Sequence, residues 1–452
     1  MFRNRKIGVL GTFNSGKTVL LTSLLWHLNE FSPDKFHIGK ENNAVIKDVH
    51  IDDNLGDRCF NFNANTNMFV TQGKWPDKTV DFAIARCTYT RSDSFWERDV
   101  TFVDIPGERV SDVLIWKTND YADWSRQIEH FWSGDSNIQS CMNNFTELRE
   151  DVEKSPDSNS WNSLVNEYKK GLIALVDNYS PFITPSTFVL TTNGETIENG
   201  LSQEEIMQRP IWDGGDFFPL PEKWVNSQNK VLKSLYAKCK DNFKRYRKEV
   251  LKPLYDEIDD CDSFIVCVDV FNILSCGLSR FYQVKGEIKN FFQMICPGKF
   301  DEMRIGFQKA LEAIKIGKIL PAFMQAKPPK VAYVATKSDM AIKGKDQLYN
   351  LLQDLVRNVN NSSYVNSKLF TCCAGKTFNY VSKSNEVVFF KTQGEVHAAL
   401  DKWPKLPNSW EKWNPKQYCG FSRQGLPMQL VAGSPPEQDN LDKIFDFITE
   451  DE

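Results

Sequence analysis

The sequence lacks the features that would place it in several large classes. It has no run of 18 apolar residues, so no transmembrane helix is expected. It has no CxxC pair, and its five histidines stand apart from its cysteines, so the spacing of a zinc site is missing. Net charge is low: 55 basic residues against 59 acidic ones leave −4, and nothing global marks a nucleic-acid or anionic-membrane protein. Apolar patterning begins within the first few residues, which leaves no room for a signal peptide. No internal repeat is visible. The 11 cysteines are scattered, several inside apolar runs (Cys87, Cys267, Cys372, Cys373). They read as reduced core residues of a cytoplasmic protein, not as a disulfide framework. What remains is a soluble globular chain of 452 residues, long enough for two or three domains.

The informative stretch is Lys6 to Asn29. Ile7, Val9 and Leu10 form a short apolar run of the kind found in buried parallel strands. Gly11-Thr12-Phe13-Asn14-Ser15-Gly16-Lys17-Thr18 follows and fits GxxxxGK[ST] at every fixed position. Val19, Leu20, Leu21, Leu24, Leu25 and Leu28 then recur at helical spacing, so the motif stands between a strand and a helix. Gly11 and Gly16 let the backbone wrap a phosphate chain. Asn14, Ser15, Gly16 and Val19 supply backbone groups around it, Lys17 brings a charge for the β and γ phosphates, and Thr18 offers a hydroxyl to Mg²⁺.

Further along, Glu30 to Lys78 is polar and broken by Gly and Pro, as a switch loop would be. A half-exposed strand is predicted over Val80–Thr90, with Thr79 at its mouth as a candidate switch threonine for Mg²⁺ and the γ phosphate. A strand over Arg98–Ile105 ends in Asp104-Ile105-Pro106-Gly107-Glu108; Asp104 is a candidate Mg²⁺ ligand through water, and the Gly107 amide can meet a γ phosphate. Helical patterns follow over Val110–Trp132 and Cys141–Asn178, a loop-like stretch over Pro181–Pro221, and an amphipathic helix or helix pair over Trp224–Asp260. Between Lys230 and Lys252 nine basic residues outnumber two acids, a local +7. Three uses stay open for that run: a solvated face, a docking surface for an acidic partner or a membrane, and a source of an arginine that reaches phosphates.

Strand patterns resume at Ser263–Asp269, Val331–Thr336 and Lys368–Cys373, giving six in all, with a hairpin expected over Asn379–Thr392 and a closing helix over Asn440–Thr449. Thr336-Lys337-Ser338-Asp339 ends one of these strands. An aspartate there accepts two hydrogen bonds from guanine that adenine cannot offer, while the lysine stem packs over the base. Cys373-Ala374-Gly375 ends the next, with a backbone amide for the base carbonyl.

This ordered set, GTFNSGKT, DIPGE, TKSD and CAG, resembles the nucleotide-binding elements of P-loop GTPases, with Thr336 where asparagine is usual. The chain is similar over nearly its whole length to one bacterial family, the YcjX-like proteins, through SGKT, WPDKT, DIPGE, WSRQ at Trp124–Gln127, IVCVD and ATKSDM. The resemblance implies an α/β fold with a Ras-like core, a mostly parallel six-stranded sheet with flanking helices, and a largely helical insertion. The expected division is 1–115 and 261–452 for the core and 116–260 for the insertion. It also implies GTP and GDP binding with Mg²⁺, a protein effector, and a stress-linked role. Glu108 stands where Ras-type proteins carry glutamine. An ionised glutamate only accepts hydrogen bonds and sits near a negative phosphate, so slow hydrolysis is expected, with Lys17, Thr79, Gly107 and Glu108 as the catalytic set. Arg126 and Arg245 are candidate sources of a phosphate-reaching arginine. A non-hydrolysing scaffold and an ATP-dependent kinase are the alternative readings.

Overall fold

The computed structural model describes residues 3–12, 15–39, 43–72, 76, 82–134, 136–177, 184–188, 203–295, 329–341, 344–360, 365–376, 388–392, 395–400, 405–411, 413–418 and 434–450. In chain order these form β1 (Arg3–Gly11), α1 (Lys17–Asn29), β2 (Ile46–Asp52), α2 (Phe62–Asn67), β3 (Ala83–Arg91) and β4 (Arg98–Asp104). Next come α3 (Val113–Lys117), α4 (Tyr121–Ser133), α5 (Ser136–Lys154), α6 (Ser160–Asp177), α7 (Gln203–Gln208), α8 (Lys230–Tyr246) and α9 (Lys252–Asp259). Then follow β5 (Ser263–Val268), α10 (Val270–Cys276), α11 (Leu278–Ile295), β6 (Lys330–Ala335), α12 (Lys345–Asn360), β7 (Asn366–Thr371), β8 (Val388–Thr392), β9 (Glu395–Leu400) and α13 (Leu441–Thr449).

The chain divides into two compact units. One comprises Met1–Gly107, Ile258–Phe281 and Phe291–Glu452; the other comprises Glu108–Glu257 and Tyr282–Asn290.

The first unit is an α/β layer structure around a seven-stranded sheet of order β2-β3-β4-β1-β5-β6-β7. From β4 through β7 every pairing is parallel, while β3 runs antiparallel to β4 and β2 antiparallel to β3. Six strands were expected; the extra one is β2, inside the stretch whose pattern looked irregular. Its sequence IKDVHID carries charge at alternate and adjacent positions, only Ile46 is fully buried, and a bulge between Lys47 and Val49 breaks the register. Asp48 there has φ 48°. Such a bulged, charged edge strand shows little alternation and is protected against edge-to-edge pairing. The hairpin lies further along than expected, with Val388 opposite Leu400 and Thr392 opposite Glu395. Residues 377–387 lie outside the described ones.

The central strands read as unbroken apolar runs because both sides are covered; β5 is buried at all six positions. α1 is buried from Leu20 through Leu28 on every side, with Thr22, Ser23 and His27 among the apolar residues, and is therefore a core helix. It shares one cluster with Ile7 and Val9 of β1, Ala332 and Val334 of β6, and Leu441, Ile444, Phe445 and Ile448 of α13. The last helix thus packs against the first one. Residues of opposite parity, Val331, Tyr333 and Ala335, are buried too, and α12 packs on β6 and β7.

The second unit is built from helices among its described residues, with an aromatic interior. Trp124 meets Phe217 edge-on at 5.4 Å, and Tyr121 meets Tyr236 edge-on at 5.1 Å. No described helix of the chain is long and apolar enough to cross a membrane.

Candidate functional site

The five parallel strands all end on one edge of the sheet, and the described candidate residues of the first unit gather there. Register fixes this: Val9 pairs with Asp104, Gly11 with Cys267, Val268 with Ala335, and Ala335 with Thr371. Crevices outside the carboxyl ends of parallel strands are where open α/β sheets bind ligands.

At the end of β1 the chain turns through a tight loop. Thr12 N donates to the Cys267 carbonyl at 3.3 Å, and Ser15 N donates to the Thr12 carbonyl at 3.1 Å. A Cβ on Gly11 would lie 2.6 Å from the Cys267 backbone oxygen, so β5 leaves no room for a side chain there. Gly16 has φ 83° and ψ 23°, the left-handed conformation that glycine adopts without strain. It starts α1 with no side-chain cap and no acid in the first turn, so the helix presents the amides of Lys17, Thr18 and Val19 and its positive dipole end to an anion. The Lys17 ammonium is folded over the loop, 3.3 Å from the Gly11 carbonyl and 3.4 Å from that of Thr12. Ser15 Oγ is buried and has no hydrogen-bond partner among the described residues. The open first-turn amides of α1, a held ammonium and an orphaned hydroxyl fit a phosphate chain. Asn14 lies outside the described residues.

Thr18 Oγ1 donates to Asp104 Oδ2 at 3.2 Å, and Asp104 is fully buried at the end of β4. The hydroxyl and carboxylate are the donor types a hard cation takes. Among the described residues no group of three His, Cys, Asp or Glu could hold a metal by itself, so a cation here would draw further ligands from water or phosphate. Asp104 leads through Ile105 and Pro106 to Gly107, where a short helical segment, Gly107–Asp112, begins. Thr79 lies outside the described residues, as does the side chain of Glu108, although its backbone belongs to that segment.

At the other end of the edge, Thr336 is tied to β5: its amide meets the Val268 carbonyl at 3.0 Å and its hydroxyl the same atom at 3.3 Å. Lys337 takes the left-handed conformation, φ 60°, and its ammonium pairs with Asp269 at 2.5 Å. Asp269 is buried and also caps α10 through the Asn272 amide at 3.0 Å. That aspartate was missed as a site residue, although the acid closing IVCVD was its signal. Ser338 N donates to the Cys372 carbonyl at 3.0 Å, which fixes the segment carrying Asp339 beside β7.

Cys373 and Ala374 follow β7. The Cys373 thiol is pushed well above its ordinary range, first by burial and then by the charge of Asp339. Its amide is spent on the Asp439 carbonyl at 3.1 Å, and Asp439 returns the bond at 2.8 Å. The Ala374 carbonyl accepts from the Ser23 hydroxyl of α1, which couples this loop directly to the helix behind the glycine loop. Ser23 and Asp439 gave no sequence signal, because each acts through a partner more than 60 positions away.

Both candidate arginines are engaged inside the second unit. Arg126 faces Asp123 and Glu222, each at 3.8 Å; Arg245 meets Glu249 at 3.2 Å and the Gly214 carbonyl at 3.0 Å. That unit also holds a buried polar cluster starting one helical turn beyond Gly107. The Asp112 carboxylate accepts from the Ser186 amide at 2.8 Å, the Thr184 hydroxyl at 3.2 Å and the Tyr246 hydroxyl at 2.7 Å. Arg109 Nη1 lies 3.3 Å from Ser186 Oγ. Burial raises the Asp112 carboxyl and Arg109 opposes the rise.

A mixed, mostly parallel sheet with a glycine loop between its central strand and a core helix defines an α/β protein whose described first-unit candidate residues line one sheet edge. The chain belongs to the YcjX-like family (DUF463), whose model matches residues 5–451. No curated protein matches the chain.

Proposed function

We propose that this chain is a guanine-nucleotide-binding switch with a Ras-like core, which holds GTP or GDP with Mg²⁺ and hydrolyses GTP slowly in the cytoplasm. The observation that carries the reading is the meeting, on one sheet edge, of the glycine loop with its Thr18–Asp104 pair and the loop carrying Lys337 and Asp339. The sheet supports it too: five parallel strands with the glycine loop after the second of them, and one antiparallel strand before β4, are the arrangement a Ras-like core needs.

In this reading the first-turn amides of α1 and the Lys17 ammonium bind the phosphates, and Thr18 and Asp104 hold the cation directly and through water. Mg²⁺ would neutralise charge developing on the phosphate oxygens. Asp339 accepts from guanine, with Lys337 positioned by Asp269. Cys373's amide is already committed, so Ala374 is the donor for the base carbonyl. Gly107 orders the following segment when a γ phosphate is present, and an effector reads that state. Glu108 in place of glutamine makes turnover slow.

Single-turnover hydrolysis of labelled GTP, with Mg²⁺ and with chelator, tests the reading. Slow Mg²⁺-dependent phosphate release is expected. Binding without release would make the chain a nucleotide-regulated scaffold, and ADP formation that needs an added acceptor would make it a kinase.

A further inference from the structure

The basic run from Lys230 to Lys252 is resolved by the structure into two sets. Four of its nine cations are used internally. Lys238 sits 3.6 Å over the Trp161 ring, and Arg245 is held by Glu249 and the Gly214 carbonyl. Arg247 donates to the Trp116 and Asn119 carbonyls at 3.0 and 3.3 Å, and Lys252 pairs with Asp256 at 2.6 Å. The other five, Lys230, Lys233, Lys240, Lys244 and Lys248, meet no acidic partner among the described residues; four are exposed and Lys240 is half-exposed.

These five are not scattered. α8 buries Leu232, Leu235, Tyr236, Cys239, Phe243 and Tyr246 on one side. At spacings of three, seven and four residues, Lys230, Lys233, Lys240 and Lys244 fall on the opposite side, with Ala237 and Asp241 between them. Lys248 continues the line through the wide turn Arg247–Leu251. The result is a row of ammonium groups along one side of the helix, about 27 Å long.

We propose that this face docks the protein on an anionic phospholipid surface. Three features choose that occupant. Both arginines of the run are already engaged by the protein's own groups, so no guanidinium fork is available for bidentate phosphate reading as on nucleic acid. No aromatic side chain stands in the row to stack on bases. The row also lacks the apolar or aromatic centre that a protein interface builds its affinity on, whereas a plane of lipid headgroups engages point charges by density alone. The proposal is independent of the nucleotide reading.

The test is co-sedimentation of the full chain with sucrose-loaded vesicles, either phosphatidylcholine alone or with one-third phosphatidylglycerol, at low and at high salt. Binding to the anionic vesicles is expected, falling steeply as salt rises because the contacts are exposed. Each lysine contributes about fivefold, so the triple variant Lys233→Gln, Lys240→Gln, Lys244→Gln should partition about a hundredfold less. Lys252→Gln, which removes an already paired charge, should stay within about twofold of the parent. Asp241→Asn should bind more tightly. Circular dichroism confirms that each variant is folded. Equal affinity for both vesicle types, or an equal loss from Lys252→Gln, would overturn the proposal. Lysine-dependent binding to an RNA oligonucleotide or an acidic polypeptide without vesicle binding would replace the lipid as occupant.

Discussion

Thr18 and Asp104 come from elements 86 positions apart and meet at 3.2 Å, hydroxyl to carboxylate, at the buried end of β4. Parallel pairing of β1 with β4 makes the meeting unavoidable, since Val9 is opposite Asp104 and the glycine loop begins two residues later.

If this pair serves a cation, Thr18→Ala and Asp104→Ala should each weaken Mg²⁺-dependent nucleotide binding by about 10–100-fold, the usual range for groups that order a metal site. Binding measured in chelator should change little. Calorimetric titration with and without Mg²⁺ separates the two; equal losses in both buffers would point to a packing defect.

Asp269 serves two partners, the Lys337 ammonium and the first turn of α10. Asp269→Ala should therefore cost about 1–3 kcal/mol of stability, a lost cap plus a lost ion pair. It should also weaken guanine nucleotide binding, because Lys337 loses its anchor. Asp269→Asn keeps the cap and should recover most of the stability without recovering the affinity. Chemical denaturation and nucleotide titration together show whether the two effects part in this way.

Phe445 is fully buried in the cluster that joins α13 to α1, with its ring near those of Phe36 and Tyr89 at 6.2 and 5.7 Å. Phe445→Ala should cost about 3–5 kcal/mol, a transfer loss plus a cavity. Because α1 carries the glycine loop, nucleotide should raise the thermal midpoint of this variant at least as much as that of the parent. An unchanged midpoint without ligand would contradict the packing described.

Buried His27 and half-buried Asp446 give opposed pH dependences. His27, with Nε2 2.9 Å from the Pro436 carbonyl, is lowered from 6.5 to about 4, chiefly by burial. The unfolded chain takes up that proton first, so stability falls as pH drops from 6.5 towards 4. Asp446 is raised from 3.8 to about 6, again chiefly by burial. The folded chain takes up that proton first, so stability rises as pH drops through 6 towards 3.8. Each contributes a few kcal/mol, at about 1.4 kcal/mol for every pH unit between its folded and unfolded values, and the two largely offset between pH 4 and 6. Asp446→Asn removes one side of the balance, and its stability should fall more steeply with acid than the parent's. A parallel pair of curves would show that the offset is absent.

Much of the first unit was legible in the sequence because its strands are short apolar runs and its loops carry dense, ordered motifs. The glycine loop, Asp104, Gly107, Thr336, Lys337, Asp339, Cys373 and Ala374 all fall where strand ends were expected. β2 was not legible, since an exposed edge strand with a bulge shows neither an apolar run nor a clean period. Ser23 and Asp439 were hidden for a different reason: each takes its role from a partner brought near only by the fold. Asp269 carried a signal, as the acid closing a strand, but its pairing with Lys337 is visible only in the fold. The Asp112 cluster was hidden likewise, because Thr184, Ser186 and Tyr246 reach it from distant segments. Thr79, Asn14 and the Glu108 side chain lie outside the described residues.

The most direct test of the guanine-nucleotide reading is titration of fluorescent GDP and a non-hydrolysable GTP analogue with Mg²⁺, competed by ATP, on the parent and on Asp339→Asn. Guanine nucleotides should bind, ATP should fail to compete, and Asp339→Asn should lose that preference, since a carboxylate acceptor pair matched to guanine discriminates far more strongly than a missing methylene does. Equal competition by ATP, with Asp339→Asn unchanged, would contradict it.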